Sequence, residues 1–306
     1  MVATDNKGNQ ARASATTIPV PIGGEYEVDL QQLYVTATLG DSRVLDLERD
    51  DFTILDEGRA QDLVTFEGGN VPFTAALLID ASASMYGLKM DAARAGATAF
   101  IQGMRELDQG KVVVFSDVIQ NSTPFSGARE VLAAGLIGAT GQGGTAVNDN
   151  LYSAFKLLSA RQGRRLVVLL SDGIDTHSAL DGEDLLYHAR RSQAMVYWIR
   201  LMSSQDARDR GDRLQYVSAW RTPEEYRQQI VSLREVVELS GGRIIPARSP
   251  EEIEPVFVEI LRELREQYAL GYYPDRQRKD NSWHRIKVKV DRPGVSVRTH
   301  DGYLDF

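Results

Sequence analysis

A short turn after an apolar run carries the side chains best suited to chemistry. Residues 77–85 read Leu-Leu-Ile-Asp-Ala-Ser-Ala-Ser-Met, so Asp80, Ser82 and Ser84 follow a predicted buried strand. Thr145 follows a glycine pair, and Asp172 follows the apolar end of a second predicted strand. Because the carboxyl ends of parallel strands meet at one edge of an open α/β sheet, we expect these five side chains to share a site.

The five side chains offer only oxygen donors, two carboxylates and three hydroxyls. Such a set suits a hard divalent cation, with Mg²⁺ preferred and Mn²⁺ or Ca²⁺ as alternatives. A simpler interpretation is that Ser82 and Ser84 only cap the helix that follows them, as serines often do. That interpretation leaves Thr145 and Asp172 unexplained.

The elements that must position these residues alternate between strands and helices. Short unbroken apolar runs predict strands buried on both faces of a parallel sheet, at residues 75–79, 112–115, 166–170, 195–199 and 243–246. Apolar residues at helical spacing predict helices between them, at 90–104, 151–158, 226–239 and 253–264. The last of these could begin at the Ser249-Pro250 cap or at Pro255. The alternation predicts a doubly wound, mostly parallel α/β sheet with helices on both faces.

The two ends of the chain have a different pattern. Residues 32–39 and 51–55 alternate apolar and polar before the α/β region. After it comes a short run at 268–273, and alternation returns within 283–290 and 295–299. Neither end has enough strands for a stable sandwich alone. We therefore predict a smaller β-sandwich built from 18–70 and 268–306, an inserted α/β domain at 71–267, and a disordered tail at 1–17.

The order and spacing of Asp80-x-Ser82-x-Ser84, Thr145 and Asp172 resemble the metal-ion-dependent adhesion site (MIDAS) of von Willebrand factor A domains. The resemblance implies a Rossmann-like fold and direct coordination of the metal by Ser82 and Ser84. It implies that Thr145 coordinates in the ligand-competent state, and that Asp80 and Asp172 act mainly through bound waters. It further implies adhesion, with a carboxylate from a partner protein completing the metal shell.

The flanks carry a second, narrower resemblance. Residues 50–58, 267–274 and 294–303 are similar to blocks that flank the A domain, in the same order, in a bacterial family of VWFA-related proteins abundant in acidobacteria. This resemblance covers the chain from about residue 28 onward and favours an extracytoplasmic or secreted location. The polar residues 1–17 lack the apolar core of a signal peptide.

Composition excludes several classes of function. The net charge of −8, with dispersed basic residues, argues against nucleic acid or an anionic membrane as the main partner. The chain has no cysteine, which excludes disulfides and thiol chemistry. No run approaches the ~18 apolar residues that a membrane span requires.

These observations favour a non-catalytic, metal-dependent protein-binding module over two alternatives. In the first, the metal site is structural, and recognition uses the β-domain or residues 201–227. That segment is rich in charged and aromatic residues, and it could be either a contact surface or a solvated insertion. In the second, Asp80 serves a phosphatase-like hydrolase, although Ser82 occupies the position where such enzymes need a second carboxylate. No motif ties a histidine to the serines, although His177 could overhang the site.

Overall fold

The computed structural model describes residues 2–4, 10–12, 30–202, 223–275 and 280–305. The strands are β1 (Val2–Thr4), β2 (Gln10–Arg12), β3 (Gln31–Leu39), β4 (Ser42–Arg43), β5 (Phe52–Asp56), β6 (Arg59–Gln61), β7 (Leu63–Gly68), β8 (Phe73–Asp80), β9 (Gln109–Phe115), β10 (Ile119–Ser122), β11 (Arg164–Ser171), β12 (Met195–Leu201), β13 (Arg243–Ala247), β14 (Tyr268–Tyr272), β15 (Trp283–Val290), β16 (Val295–Arg298) and β17 (Gly302–Leu304). The helices are α1 (Leu88–Gln102), α2 (Arg129–Ala134), α3 (Val147–Ser159), α4 (Gly182–Ser192), α5 (Pro223–Leu239) and α6 (Ile253–Arg265). Short 3₁₀ turns lie at Arg49–Asp51, Ala83–Met85 and Pro250–Glu252.

A six-stranded sheet forms the centre of the α/β domain, in the order β10-β9-β8-β11-β12-β13. Its neighbours pair in parallel except β10, which is antiparallel to β9. Leu77 and Leu78 point to opposite faces of β8, and both are buried. The continuous apolar runs therefore have the expected cause, since both faces of the sheet are covered. The five predicted strands are confirmed, each slightly longer than its apolar run.

Helices cover both faces of this sheet, which confirms the predicted doubly wound α/β fold. α1 and α6 pack together on one face, and α3, α4 and α5 lie on the other. On the first face the rings of Phe100 and Phe257 meet edge to face, with centroids 6.2 Å apart. α6 begins at Ile253, directly after the 3₁₀ turn, so Pro255 lies within its first turn rather than at its start.

The order of the strands reverses at β8. The chain leaves β8 through α1 and enters β9 on one side, and it later returns through α3 to β11 on the other side. Ligands of open α/β sheets bind in the crevice that such a reversal opens at the carboxyl ends of the strands. Asp80 and Asp172 lie at this crevice, because they end β8 and follow β11.

The two flanks of the α/β domain together form two antiparallel sheets. One has the order β16-β3-β14-β7, with β4 paired to β3, and the other has the order β17-β15-β5-β6. Each sheet combines strands from both flanks, since β3 pairs with β14 and β5 pairs with β15. The shared core contains Leu33, Ile54 and Tyr272, all buried. The α/β domain is thus inserted into a β-sandwich, while the exact boundaries 18–70, 71–267 and 268–306 stay a prediction.

Within the α/β domain, three elements have no counterpart in the sequence prediction, namely β10, α2 and α4. The edge strand β10 shows no alternation of burial, because Ile119 at its start is exposed. α4 buries only Leu185, Ala189 and Ser192, which is too few apolar side chains for a clear helical pattern. Its start is fixed locally, since the carboxylate of Asp181 accepts hydrogen bonds from the N–H groups of Glu183 and Asp184 in the first turn.

A buried carboxylate connects the two units of the structure, the α/β domain and the β-sandwich. Glu263 of α6 has a side chain that is 1 % exposed and accepts a hydrogen bond of 2.7 Å from the Tyr197 hydroxyl of β12. Arg243 of β13 lies 3.0 Å from its carboxylate, and Arg298 of β16 forms a second ion pair with it. The α/β domain and the β-sandwich therefore share one charged network, which we call the Glu263 network.

Two predicted regions are only partly described. Within the predicted tail 1–17, β1 and β2 form an antiparallel pair. Most of the 201–227 segment, residues 203–222, lies outside the described residues. None of the helices in the described parts of the chain combines the length and hydrophobicity that a bilayer crossing requires.

Candidate functional site

The carboxylate of Asp80 is fully buried at the end of β8 and held from two sides. The main-chain N–H of Ser82 donates to Oδ1 at 2.8 Å, and the hydroxyl of Ser171 donates to Oδ2 at 2.6 Å. The Ser171 hydroxyl also accepts a hydrogen bond of 3.0 Å from the N–H of Gly173. Asp80 therefore has a fixed orientation toward the loops that follow β8 and β11.

Burial, and then the negative charge of Asp172, raise the pKa of Asp80 to about 7, against the opposing hydrogen bonds from Ser171 and Ser82. The negative charges of the buried Asp80 and the half-buried Asp172 repel each other. A bound cation would relieve that repulsion, so the electrostatics of the site favour a positively charged ligand.

The loop after Asp80 presents its two serine hydroxyls to Asp172. Ser82 has an extended backbone, with φ −66° and ψ 170°, and the next residues form the 3₁₀ turn. This geometry places the hydroxyl oxygens of Ser82 and Ser84 3.1 Å apart, and the Ser84 hydroxyl donates to Oδ2 of Asp172 at 3.2 Å. The other oxygen of Asp172 accepts from the N–H of Ile174 at 2.9 Å.

Thr145 reaches the same edge on a loop that is tied to both neighbouring loops. The N–H of Gln142 donates to the carbonyl of Ala81 at 2.9 Å, and the carbonyl of Gly143 accepts from the N–H of Ala83 at 3.1 Å. The N–H of Thr145 donates to the hydroxyl of Thr176 at 2.9 Å. The side chain of Thr145 is buried, and its position is set through the main chain.

The glycines before Thr145 are required by close packing. Gly143 has φ +75°, a conformation that side chains disfavour, and a Cβ there would lie 2.2 Å from Oδ1 of Asp117. A Cβ on Gly144 would lie 2.1 Å from Nδ1 of His177. His177 is exposed, and its ring packs against Gly144 while sharing a 2.8 Å hydrogen bond with the Thr176 hydroxyl.

Two acidic residues near the site stabilise loops rather than joining the five candidates. The carboxylate of Asp175 is buried and accepts from the N–H of Asn148 at 2.8 Å and from the Ser178 hydroxyl at 2.6 Å. Asp149 accepts from the N–H groups of residues 179 and 180, both at 3.0 Å. The sequence signal for such roles is weak, because Asp175 reaches Asn148, 27 positions away, and Asp149 reaches residues 179 and 180, 30 and 31 positions away.

Ser171 is the neighbour of the site that the sequence prediction did not assign. Its hydroxyl is the shortest contact of Asp80, yet in the sequence it reads as the last residue of an apolar strand. The clue was its position directly before Asp172 at the end of β11.

The donor set fits a small divalent cation. Neighbouring ligand oxygens around octahedral Mg²⁺ lie roughly 2.9 Å apart, because each Mg–O bond is about 2.0–2.1 Å. The separations of 3.1 Å between Ser82 and Ser84, and of 3.2 Å between Ser84 and Asp172, are close to that value. No cluster of three or more His, Cys, Asp or Glu side chains able to hold a metal ion occurs among the described residues. Three of the five candidate donors are hydroxyls, from Ser82, Ser84 and Thr145.

Residues 75–174, within the α/β domain, match the family model of the von Willebrand factor type A domain, so the chain contains a domain of this type. The match confirms the resemblance to von Willebrand factor A domains. The MIDAS assignment and the acidobacterial resemblance stay predictions. A search of curated proteins finds no match.

Solved structures similar to the chain include other A-domain proteins. A von Willebrand factor type A protein from Catenulispora acidiphila is 13% identical over 82% of this chain and 73% of its own, with a TM-score of 0.47. The vWF domain of the type V pili tip protein Mfa5 from Porphyromonas gingivalis is 12% identical over 63% of this chain and 94% of its own, with a TM-score of 0.45. Proximal thread matrix protein 1 from the mussel byssus, solved with a zinc-occupied MIDAS motif, is 13% identical over 68% of this chain and 49% of its own, with a TM-score of 0.47.

Proposed function

We propose that the A domain is a non-catalytic, metal-dependent protein-binding module. In this proposal Asp80, Ser82, Ser84, Thr145 and Asp172 hold a divalent cation, with Mg²⁺ preferred, and the cation captures an Asp or Glu carboxylate of a partner protein. The observation that carries the proposal is the approach of the Ser82, Ser84 and Asp172 oxygens to one another, at 3.1 and 3.2 Å, beside the buried Asp80.

The types of donor explain why such a cation would attract a further ligand. A hydroxyl is neutral and leaves the charge of the ion largely uncompensated, whereas a carboxylate would neutralise it. Both carboxylate oxygens of Asp80 already accept hydrogen bonds, one from the N–H of Ser82 and one from the hydroxyl of Ser171. A carboxylate from outside would therefore complete both the coordination and the charge balance of the metal.

The rim of the site supports protein contact. Tyr86 and Leu88 directly follow the Asp80–Ser84 loop and are 81% and 72% exposed. Val118 is exposed on the neighbouring loop after β9. That loop leads into β10, whose Gln120 side chain donates to the carbonyl of Ala81 at 3.2 Å. Exposed apolar side chains beside a polar centre are typical of interaction surfaces.

The first experiment is a thermal melt in EDTA, Mg²⁺, Mn²⁺ or Ca²⁺. A ligand that binds only the folded state stabilises it by ~2.7 kcal/mol at a hundredfold excess over its Kd. We expect this rise in the wild type and its loss in Asp80→Ala. The matched control is Asp117→Ala, which removes a carboxylate from an exposed position at the same edge of the sheet. A rise that persists in Asp80→Ala would refute the metal site.

The second experiment separates partner capture from a structural metal, using a partner isolated on the Mg²⁺-loaded wild type. We expect Thr145→Ala to weaken partner binding more than metal binding, and Asp172→Ala to abolish both. Partner binding that survives Asp172→Ala would place recognition on the β-sandwich or on residues 201–227. The extracytoplasmic location favoured by the family resemblance is part of the proposal, and cell fractionation tests it.

A further inference from the structure

A large cleft lies at the edge of the central sheet opposite the candidate metal site. β11 spans the distance between them, roughly 20 Å from Arg165 at the cleft to Ser171 at the candidate metal site. The cleft has a volume of about 1040 Å³. Its walls are the ends of α3 and α4 on one side and residues 30–34 and 303–305 of the β-sandwich on the other. It is therefore formed only when the two units are joined.

The described residues that line this cleft carry mostly positive charge. Lys156, Arg161, Arg165 and Arg191 line it, whereas Asp305 is the one carboxylate among these residues. Asp305 lies 3.8 Å from the ring of a histidine of the β-sandwich, and its side chain is only 7% exposed. The cleft is thus electropositive in a chain whose net charge is −8.

Arg165 has the environment of an anion-binding residue. Its Nη2 donates to the side-chain oxygen of Gln193 at 3.1 Å, whereas its buried Nε has no hydrogen-bond partner. No ion pair within the described residues neutralises it, and burial lowers the pKa of its guanidinium. A buried donor without a partner destabilises the folded chain, and an anion drawn to the guanidinium would compensate part of that cost.

Two histidines that line the cleft have their pKa lowered by burial and by nearby positive charges. Burial, and then the charge of Arg165, lower the pKa of His300 to about 4. Burial, followed by the charge of Lys156, lowers the pKa of His188. In both cases the shift favours the neutral ring, which can donate or accept a hydrogen bond to a ligand.

We propose that this cleft binds a small, multiply charged phosphate compound, with Arg165 and Lys156 as its principal contacts. The guanidinium of arginine matches the geometry of phosphate oxygens, and Lys156 is exposed on the neighbouring wall. The volume fits a small molecule, since ligand pockets commonly measure about 300–1,000 Å³. Tyr34 and Tyr152 also line the cleft and offer flat surfaces for an attached ring. This site is independent of the proposed metal-dependent function.

The test is isothermal titration of the full chain with inorganic pyrophosphate and with ATP, both in EDTA so that the metal site does not contribute. We expect saturable binding of one pyrophosphate per chain. Loss of one charge-assisted contact is worth about 1.5–3 kcal/mol, which predicts at least tenfold weaker binding in Arg165→Gln. ATP binding tighter than pyrophosphate would identify a nucleotide as the ligand, and equal affinity would identify the phosphate group alone.

The control variant is Arg94→Gln, which removes the same charge from α1 on the opposite face of the sheet. Arg94 pairs with Asp91 and is distant from the cleft. Lys156→Gln keeps the test valid if Arg165→Gln unfolds, because Lys156 is exposed. Absence of saturable pyrophosphate binding in the wild type would overturn the proposal. So would equal weakening in Arg94→Gln, Arg165→Gln and Lys156→Gln, because that result indicates non-specific attraction.

Discussion

Replacing Glu263 by glutamine removes the negative charge at the centre of the Glu263 network. Its carboxylate pairs with Arg243 at 3.0 Å and with Arg298, and it accepts a hydrogen bond from Tyr197 at 2.7 Å. Glutamine has nearly the same shape and can still accept the hydrogen bond from Tyr197. The substitution therefore isolates the loss of charge from any loss of packing.

The magnitude follows from how deeply each partner is buried. Removing one member of a fully buried ion pair costs about 3–5 kcal/mol, because the other charge is left uncompensated. Here Glu263 is 1 % exposed, and the mostly buried Arg43, 3.9 Å from it, stays paired with Glu259 and Glu266. The side chains of Arg243 and Arg298 are 36% and 29% exposed. Water can solvate part of both guanidinium groups, so we expect a smaller loss of about 2–3 kcal/mol in the free energy of unfolding.

Urea unfolding followed by circular dichroism measures this loss as a change in midpoint at constant m-value. The matched control is Glu224→Gln on α5, which removes an equal charge from a side chain 77% exposed and paired only at the surface with Arg227. We expect the control to change stability by less than about 0.5 kcal/mol. A Glu263→Gln variant as stable as Glu224→Gln would refute the argument that buried charge couples the two units.

Three further perturbations have defined outcomes. Asp181→Ala removes the cap of α4, and thermal unfolding should show a loss of about 1 kcal/mol, whereas Asp181→Asn should retain most of the stability. Gly242→Ala would place a Cβ 1.7 Å from the carbonyl oxygen of Val196. We therefore expect the free energy of unfolding, measured in urea, to fall by at least about 2 kcal/mol. Unchanged stability would show that the backbone shifts to accept the methyl group. His300 has a folded pKa of about 4, below its ordinary 6.5, so the unfolded chain takes up its proton first as the pH falls. The stability should therefore decline by about 2 kcal/mol from pH 6.5 to pH 4, allowing for partial exposure of the ring, and His300→Asn should remove that part of the decline.

The strands of the central sheet could be predicted because their signal is local. A continuous apolar run such as that of β8 or β11 has no stable place except between two layers of helices. The same reasoning fails for β10 and α4, whose residues are only partly covered. Their formation depends on what they pack against, and on a cap such as Asp181, more than on their own pattern.

The candidate site divides in the same way. Asp80, Ser82, Ser84 and Asp172 could be predicted to meet, since they follow strands whose carboxyl ends share one edge, and the structure brings their oxygens together. The roles of Ser171 and Asp175 could not be predicted. Their hydrogen bonds join segments that are distant in the chain. A hydroxyl or carboxylate can bond to many different groups, and the sequence does not indicate which of them folding will bring near.

The sequence by itself determined the alternation of strands and helices, the chemistry of the five oxygen donors and the edge at which they lie. These properties follow from the period of apolar residues and from strand direction, which are local. Only the tertiary structure decided the Glu263 network and the basic cleft, because each is made by residues from both units. Tyr34 and Arg165 are more than a hundred positions apart, yet both line the cleft, since docking of the β-sandwich against α3 and α4 sets their distance. Charges that are dispersed along the chain thus become concentrated in space.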